Sequence, residues 1–294
     1  MTNPDQRTAY GVACIISASF FTSLAGPIVR EVENADGWAL QFWRQVWFLG
    51  FILLFLLWRH GRSGLPRAFL AIGRPGLIGA GALAVSFAAF IFAMMETTVA
   101  KVVFIGATSP FIAALIAWVA LGERLKPMTW LAMGVALCGI VVMAGDGLTS
   151  GQGHGVLLAV ITTLGFGITL VCLRSRADRD MLPSIALAGL LALLAGAVMA
   201  PSLAISGHDM LVAAAFGVLQ LGFQYVLIAI GARHVPAGEV ALLGRLQLVL
   251  GPLWVWMTVG EQPSLLTVVG GAIVVSAIAL QSTIALRRRA PMTP

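Results

Sequence analysis

Three ionisable side chains that fall inside apolar stretches are the residues of this sequence best suited to bind a charged ligand. Arg44, Lys101 and Arg245 each lie within a long apolar run. A charged group within a lipid bilayer is costly when it has no partner, so each of these cations is a functional candidate. Cations that outnumber the acids around them favour a cavity that attracts an anionic group, such as a carboxylate.

The depth of each cation along its apolar run decides how it is interpreted. Arg245 lies about seven residues, roughly 10 Å, inside its run, which is too deep to reach the interface easily. We predict that Arg245 and Lys101 line a binding cavity. Lys101, near the start of its run, and Arg44 have an alternative, which is to reach the interface or to pair with an acid. The acids available for such a pair are Glu96, Glu31 and Glu33.

Neutral polar and aromatic side chains add to this set. Gln220 and Gln224 are four residues apart, so on a helix they share one face, and Tyr225 adjoins them. Such an amide pair either orients a bound zwitterion or forms hydrogen bonds between helices. The remaining candidates for the cavity wall, each with packing inside the protein as its alternative, are Gln247, Thr108, Phe87 and Phe166.

The composition indicates which elements hold these side chains. Of 294 residues, 59% are apolar and 10% are charged, and the mean hydropathy is +0.96, whereas about a quarter of the residues of soluble domains are charged. A water-soluble monomer is therefore excluded, and the predicted fold class is all-α. Apolar runs long enough to cross a bilayer as helices leave no room for a separate soluble enzymatic domain. The predicted spans are 9–28, 38–58, 76–95, 98–120, 128–145, 154–173, 183–200, 210–231, 238–259 and 265–286.

The loops between these spans carry a strong charge asymmetry. Fourteen of the 18 basic residues, with Arg287, Arg288 and Arg289 among them, fall on the side shared by both termini, and Arg30 alone falls on the opposite set of loops. Since cytoplasmic loops are enriched in Lys and Arg, both termini are predicted to be cytoplasmic. The asymmetry accounts for the net charge of +6 without a nucleic-acid partner.

Two parts of the chain repeat each other. An apolar helix that ends in arginine occurs in both halves, and so does a Trp-to-Glu segment that closes a long helix. The repeat divides the chain into residues 1–150 and 151–294, with five predicted helices each. An odd number of helices gives the second unit the opposite orientation in the membrane, which is typical of secondary transporters. The aligned segments are Gly11–Arg30 with Gly155–Arg174, and Trp118–Glu123 with Trp256–Glu261.

The segments that close the two long helices also carry a resemblance to a known family. Ser109-Pro110-Phe111 to Gly122-Glu123, and Gly251-Pro252-Leu253 to Gly260-Glu261, resemble the EamA-type repeat of the drug/metabolite transporter superfamily. Within that superfamily the chain is similar to the YddG-type exporters of aromatic amino acids and related metabolites. The resemblance implies ten transmembrane helices in two inverted five-helix repeats. It also implies a central cavity lined chiefly by predicted helices 1, 3, 4, 6, 8 and 9, and residence in the bacterial inner membrane.

Prolines and cysteines complete the candidate residues. Pro110 and Pro252 lie inside long spans, where a proline leaves a backbone carbonyl without its hydrogen bond, so we predict that they act as hinges, with a static kink as the alternative. Cys14, Cys138 and Cys172 show no metal-ligand spacing. Neither a metal nor a cofactor is expected.

These features favour a secondary transporter that exports amino acids, in particular aromatic or large apolar ones, and related metabolites by alternating access. The expected partners are the small-molecule substrate and the lipid bilayer. A drug or nucleotide-linked metabolite transporter of the same superfamily is the alternative. An intramembrane enzyme is disfavoured because the sequence places no constellation of His, Asp and Glu at the middle of the spans.

Overall fold

A computed structural model describes residues 4–176 and 179–287 of the protein. Its secondary structure is entirely helical over these residues, as expected for apolar segments that must satisfy their backbone hydrogen bonds internally within lipid. Eight helical stretches are long and apolar enough to cross a membrane, judged by length and composition. The prediction of an all-α, multi-pass membrane protein is therefore confirmed.

The helices of the first half cover the predicted spans, but spans 9–28 and 98–120 are each divided into two helices and the third helix is longer than predicted. The third helix extends well beyond its predicted end because the chain kinks at Gly61, whose φ of +68° is a conformation that glycine adopts readily, and then continues as helix. In chain order the helices are α1 (Pro4–Ser23), α2 (Ala25–Arg30), α3 (Gly37–Leu70), α4 (Gly73–Glu96), α5 (Val99–Gly106), α6 (Ser109–Leu121) and α7 (Pro127–Thr149).

The helices of the second half also lie close to the predicted spans, but two of those spans change helix type along their length. A π-helical segment, Phe216–Phe223, joins α10 to α11, and a 3-10 turn, Gly244–Leu246, joins α12 to α13. The predicted span 238–259 is therefore not one continuous helix. Arg288 and Arg289, which entered the charge count, lie outside the described residues. The helices are α8 (Gly153–Arg174), α9 (Leu182–Met199), α10 (Gly207–Ala215), α11 (Gln224–Gly231), α12 (Ala237–Leu243), α13 (Gln247–Val259) and α14 (Leu265–Arg287).

Two spans are interrupted at positions that correspond in the sequence repeat. α5 ends at Gly106 and α6 begins at Ser109. When Glu123 is aligned with Glu261, the 3-10 turn falls at the equivalent place in the second half. Pro110 therefore occupies the first turn of a new helix, where a missing N–H is tolerated, whereas Pro252 lies within α13.

The helices that follow these breaks end alike. α6 and α13 are each 13 residues long, and each is capped by a left-handed glycine, Gly122 with a φ of +68° and Gly260 with a φ of +69°. A left-handed residue satisfies the last carbonyls of a helix, and glycine adopts this conformation without a steric penalty. The backbone thus repeats the geometry that the Gly-Glu sequences suggested.

Side-chain contacts identify which helix ends lie together. At one end of the bundle, named the Arg30 end, ion pairs join α2 to the segment after α13 and α5 to α7, and a histidine–carboxylate contact joins α4 to α8. At the opposite end, named the Arg59 end, α3 pairs with the segment that precedes α9. The pairs are Arg30–Glu261, Lys101–Asp146 and His154–Glu96 at the first end, and Arg59–Asp180 and His60–Asp180 at the second.

Two apolar clusters form the interior. One, at the Arg30 end, is built from α4, α5, α7, α8, α13 and α14 and includes Ile91, Ile105 and Met143. The other is built from α3, α4, α9, the π-helical segment and α11, and includes Phe48 and Ile185. α4 contributes to both clusters and packs extensively against α8 and α9. A cavity remains where the two clusters meet.

Candidate substrate cavity

The cavity has a volume of about 180 Å³ and lies near the middle of the helices. Its wall comes from the six predicted spans that the family resemblance implied, together with one side chain of α3, that of Arg44. Hydroxyl and amide groups are spread around the wall, and aromatic rings occupy the side formed by α4, α8 and α11. The polar side chains of the wall are Thr22, Ser23, Arg44, Ser86, Ser109, Thr162, Thr163, Gln220, Gln224 and Gln247.

Arg44 is the cationic side chain of this wall. It is 1% exposed, and its Nη2 donates a hydrogen bond of 3.1 Å to Oε1 of Gln220. Its Nη1 makes only long contacts, 3.4 Å to Oε1 of Gln41 and 3.5 Å to the carbonyl oxygen of Phe87, and its Nε has no hydrogen-bond partner. Among the described residues no carboxylate lies within ion-pair distance of the guanidinium. The site therefore holds a buried cation with unused donors.

Aromatic rings surround the same guanidinium. Its central carbon lies 4.4 Å from the centre of the Phe216 ring and 5.7 Å from the centres of Phe87 and Phe90. A guanidinium within about 6 Å of a ring face is attracted by the ring quadrupole. These contacts stabilise the buried charge without neutralising it.

The local sequence explains why Arg44 lies inside. Arg44, Phe48, Ile52 and Leu56 recur at four-residue intervals on α3, and all four are buried, so they form one inward face. The π-helical segment approaches this face closely at Gly217, where a Cβ atom would lie 2.3 Å from the carbonyl oxygen of Arg44. The close approach brings Gln220 to the guanidinium. π-Helical turns occur frequently at functional sites.

Six of the nine predicted binding residues line the cavity wall. Nε2 of Gln220 approaches Oε1 of Gln224 to 3.5 Å, as the shared helix face predicts. The rings of Phe87 and Tyr225 lie 6.3 Å apart in an edge-to-face arrangement, which is favourable for aromatic pairs. The six are Phe87, Phe166, Gln220, Gln224, Tyr225 and Gln247.

Lys101 is held away from this cavity by an ion pair. Its Nζ lies 2.7 Å from Oδ2 of Asp146 and 2.9 Å from Oε1 of Gln152. The same oxygen of Asp146 accepts hydrogen bonds from Ser264 and Thr267 at 2.8 and 3.1 Å. The suggested pairing of Lys101 with Glu96, Glu31 or Glu33 is therefore wrong. The carboxylate partner comes from α7 instead.

The last two predicted binding residues also lie outside the wall. Arg245 is half-buried within the 3-10 turn between α12 and α13, so a break in the helix, rather than depth along a continuous one, sets its position. Thr108 is buried, and its hydroxyl donates a hydrogen bond of 2.7 Å to the carbonyl oxygen of Ile105. That bond satisfies the hydroxyl within its own chain segment.

Backbone atoms as well as side chains at the two helix breaks line the cavity. Gly106 and Ser109 flank the first break, Gln247 follows the second, and all three line the wall. The N-terminus of α6 therefore opens on the cavity, and the partial positive charge of a helix N-terminus adds to that of Arg44. Interrupted helices of this kind line the substrate sites of many secondary transporters.

The sequence pattern favoured Arg245 and Lys101 over Arg44 as cavity cations, and it did not single out the hydroxyls of Thr22, Ser23 and Ser86. The signal for Arg44 was present in its four-residue spacing with Phe48, which assigns it to the apolar face of α3. Single hydroxyls carry no such signal, because Ser and Thr commonly bond to their own helix backbone. Taken together, the wall offers a guanidinium for an anion, amides and hydroxyls for polar groups, and aromatic surface for an apolar group.

Comparison with known proteins identifies the family. The sequence profile of the EamA-like transporter family matches residues 9–145 and again residues 153–283. The chain is also similar to the pseudopaline exporter CntI from two strains of Pseudomonas aeruginosa. Each shows 27% identity, over 288 and 283 residues respectively, covering 93% of this chain and 96% of the exporter.

A solved crystal structure shares the fold. It matches with a TM-score of 0.62 at 20% sequence identity, over 96% of this chain and 99% of the other. The family profile covers most of the chain, in two copies that each begin two residues before a repeated segment. The chain therefore belongs to the EamA-like transporter family and is a multi-pass membrane transporter.

Proposed function

We propose that the protein exports amino acids, chiefly aromatic or large apolar ones, and related metabolites by alternating access across the bacterial inner membrane. The observation that carries this proposal is Arg44, a buried guanidinium with unused donors and no carboxylate partner among the described residues. A substrate carboxylate supplies the missing counter-charge, and charge-assisted bonds of that kind are among the strongest in proteins.

The rest of the cavity suits the remainder of such a substrate. Phe87, Phe166 and Tyr225 offer aromatic surface to an apolar side chain, while Gln224 and Ser109 offer oxygens to an ammonium group. The volume of about 180 Å³ is smaller than the roughly 300–1,000 Å³ typical of drug-sized ligands. Single amino acids fit this size better than bulky drugs or nucleotide-linked metabolites. Among the described residues the wall presents one cation, which suits a single carboxylate better than the several negative charges of a polyanion.

We further propose that ten helices form two inverted five-helix units, residues 1–150 and 151–294, with both termini cytoplasmic. The two profile matches support two units, and so does the cavity wall. Four pairs of wall residues are equivalent when Glu123 is aligned with Glu261, so matching positions of the two units face the same space, as in transporters built from inverted repeats. The pairs are Leu83 with Leu221, Ser86 with Gln224, Phe87 with Tyr225, and Ser109 with Gln247.

Counterflow in proteoliposomes tests the substrate class. Labelled phenylalanine, tryptophan, methionine and threonine are offered to vesicles loaded with the unlabelled compound, with and without an imposed pH gradient. We expect counterflow of phenylalanine, tryptophan and methionine in preference to threonine. Absence of counterflow for all four, in folded protein, would refute the assignment.

A second candidate is favoured by the similarity to the pseudopaline exporters. An identity of 27% over nearly the full chain makes pseudopaline, or a compound like it, the alternative cargo. Export of pseudopaline by cells that produce it, compared with cells that lack this chain, separates the two. Pseudopaline export without amino-acid counterflow would favour the alternative.

A further inference from the structure

An ion pair connects the two halves of the chain at the Arg30 end of the bundle. Nη2 of Arg30 lies 2.8 Å from Oε2 of Glu261, and its Nε donates to the same oxygen at 2.9 Å. Arg30 also donates to the carbonyl oxygens of Met94 and Thr97 at 2.7 and 2.9 Å, while Oε1 of Glu261 accepts from the backbone N–H of Val99 at 2.8 Å. Since Met94 and Val99 line the cavity, this network joins both halves of the chain next to the cavity wall.

The sequence repeat contains a second copy of the same pair. Arg30 ends α2, and Arg174, its equivalent in the repeat, ends α8. Glu123 and Glu261 are likewise equivalent, and each follows a left-handed glycine that caps a 13-residue helix. Arg174 and Glu123 lie at the Arg59 end, opposite to Arg30 and Glu261.

The second pair is apart in this structure. Glu123 and Arg174 line one cleft of about 140 Å³, together with Ala117, Val171 and Ser175. Both side chains are exposed, and no ion pair or side-chain hydrogen bond involves either one within the described part of the chain. The same two residue types are thus bonded at one end of the bundle and separated at the other.

We propose that Arg30–Glu261 and Arg174–Glu123 are two latches that close alternately, one at each end of the cavity. This inference rests on the alternating access of the proposed function. In this proposal the structure, with the Arg30–Glu261 pair formed and the Arg174–Glu123 pair apart, is the state that is closed at the Arg30 end. In the opposite state Arg174 binds Glu123, and Glu123 accepts a hydrogen bond from the backbone N–H of Ala237, the equivalent of Val99 in the second unit.

Two ion pairs that form in alternation keep the two states of a transporter close in free energy. Each state keeps one arginine–glutamate pair and exposes the other to water, so the two states differ little in the number of charged contacts. A conformational equilibrium shifts readily only when its states lie within a few kcal/mol of each other. Equivalent latches provide that balance, whereas one permanent ion pair would hold a single state.

Thiol accessibility tests the first latch without any substrate. Gly106 lines the cavity, and a Cβ atom there meets nothing within 4 Å, so Gly106→Cys is a suitable reporter once Cys14, Cys138 and Cys172 are replaced by alanine. A membrane-impermeant maleimide is added to intact cells. Exposed cysteines at each end of the bundle, Ser150→Cys and Ser63→Cys, identify which end the reagent reaches.

We expect Glu261→Gln to raise reporter labelling from the Arg30 end about tenfold, and Glu123→Gln to lower it. The controls, which remove an exposed carboxylate at the same ends, are Glu31→Gln and Glu239→Gln. Equal changes in Glu261→Gln and Glu31→Gln would overturn the proposal, as would changes of the same direction in Glu261→Gln and Glu123→Gln. Both outcomes are independent of whether amino acids are the cargo.

Cross-linking provides a second measurement, in which a disulfide replaces each ion pair. The pair Glu123→Cys and Arg174→Cys, oxidised in native membranes, is expected to form a disulfide and to make the Gly106→Cys reporter accessible from the Arg30 end. The pair Arg30→Cys and Glu261→Cys is expected to block that access. Failure of the first pair to cross-link in folded protein would show that the second latch does not close.

Discussion

Replacement of Arg44 by glutamine separates binding of a carboxylate from support of the fold. Gln at this position keeps an N–H donor for Gln220 but removes the charge. One hydrogen bond to a charged group contributes about 1.5–3 kcal/mol, which corresponds to roughly a 10- to 150-fold rise in the Kd for a carboxylate substrate. Phenylethylamine, which resembles phenylalanine without its carboxylate, is expected to bind Arg44→Gln as well as it binds the parent protein, or better, because a cation has been removed.

The assay is equilibrium binding of both ligands to purified protein, with Arg62→Gln as a control because Arg62 is exposed. Arg44→Lys keeps the charge but loses the planar fork of the guanidinium, so its loss of affinity is expected to be smaller. An equal loss of affinity for both ligands in Arg44→Gln would refute the reasoning, since the effect would then not depend on the carboxylate.

The melting temperature of Arg44→Gln without ligand tests separately whether Arg44 supports the fold. A buried charge without a counter-ion costs free energy, so Arg44→Gln is expected to melt no lower than the parent protein. A structural arginine behaves oppositely, because its removal leaves a partner uncompensated. A marked fall in the melting temperature of Arg44→Gln would therefore assign Arg44 to the fold rather than to substrate.

Three further substitutions test the structure around the cavity. Lys101→Met leaves Asp146 buried without its cation and should lower the free energy of unfolding by about 3–5 kcal/mol. Denaturation in detergent micelles measures this loss. Lys101→Met combined with Asp146→Leu should recover most of it. Gly217→Ala places a Cβ atom 2.3 Å from a backbone carbonyl of α3 and should lower stability by about 1–3 kcal/mol, whereas Gly134→Ala, with nothing within 4 Å, should not. Arg245→Gln should retain most of the transport activity in the counterflow assay. A loss of activity as large as that of Arg44→Gln would instead support the prediction that Arg245 lines the cavity.

The sequence was sufficient for the features that depend on local pattern. The length of each apolar run predicts a helix because lipid permits few other structures, and the four-residue spacing of Gln220 and Gln224 places both on one face of the same wall. The repeated Gly-Glu sequences likewise predict two equivalent helix ends, which Gly122 and Gly260 form with the same left-handed backbone.

The features that the sequence did not predict depend on contacts between distant helices. Lys101 pairs with Asp146, which belongs to α7 and approaches only when α5 and α7 pack together. Arg245 lies outside the cavity wall within a 3-10 turn, and no charge or apolar pattern marks such a turn. Depth along a predicted span is thus a poor guide to burial where the span is broken.

Arg44 is a feature of the cavity that the internal repeat does not duplicate. The four equivalent pairs of wall residues, among them Phe87 with Tyr225, give the two sides of the cavity a similar shape. Arg44 has no such equivalent, because the alignment of Arg30 with Arg174 matches it to Ala188, which is buried in the apolar cluster of α3, α4 and α9. In the proposed alternating-access mechanism, two equivalent units allow opening to either end of the bundle, but they cannot by themselves orient a substrate that has one charged end. In the proposed mechanism this guanidinium breaks the symmetry, so we expect recognition of the substrate to depend on the first unit and the exchange between states to depend on both. Substitutions at Arg44 should therefore change which compounds are carried, and substitutions at the repeated positions should change how fast the two states exchange.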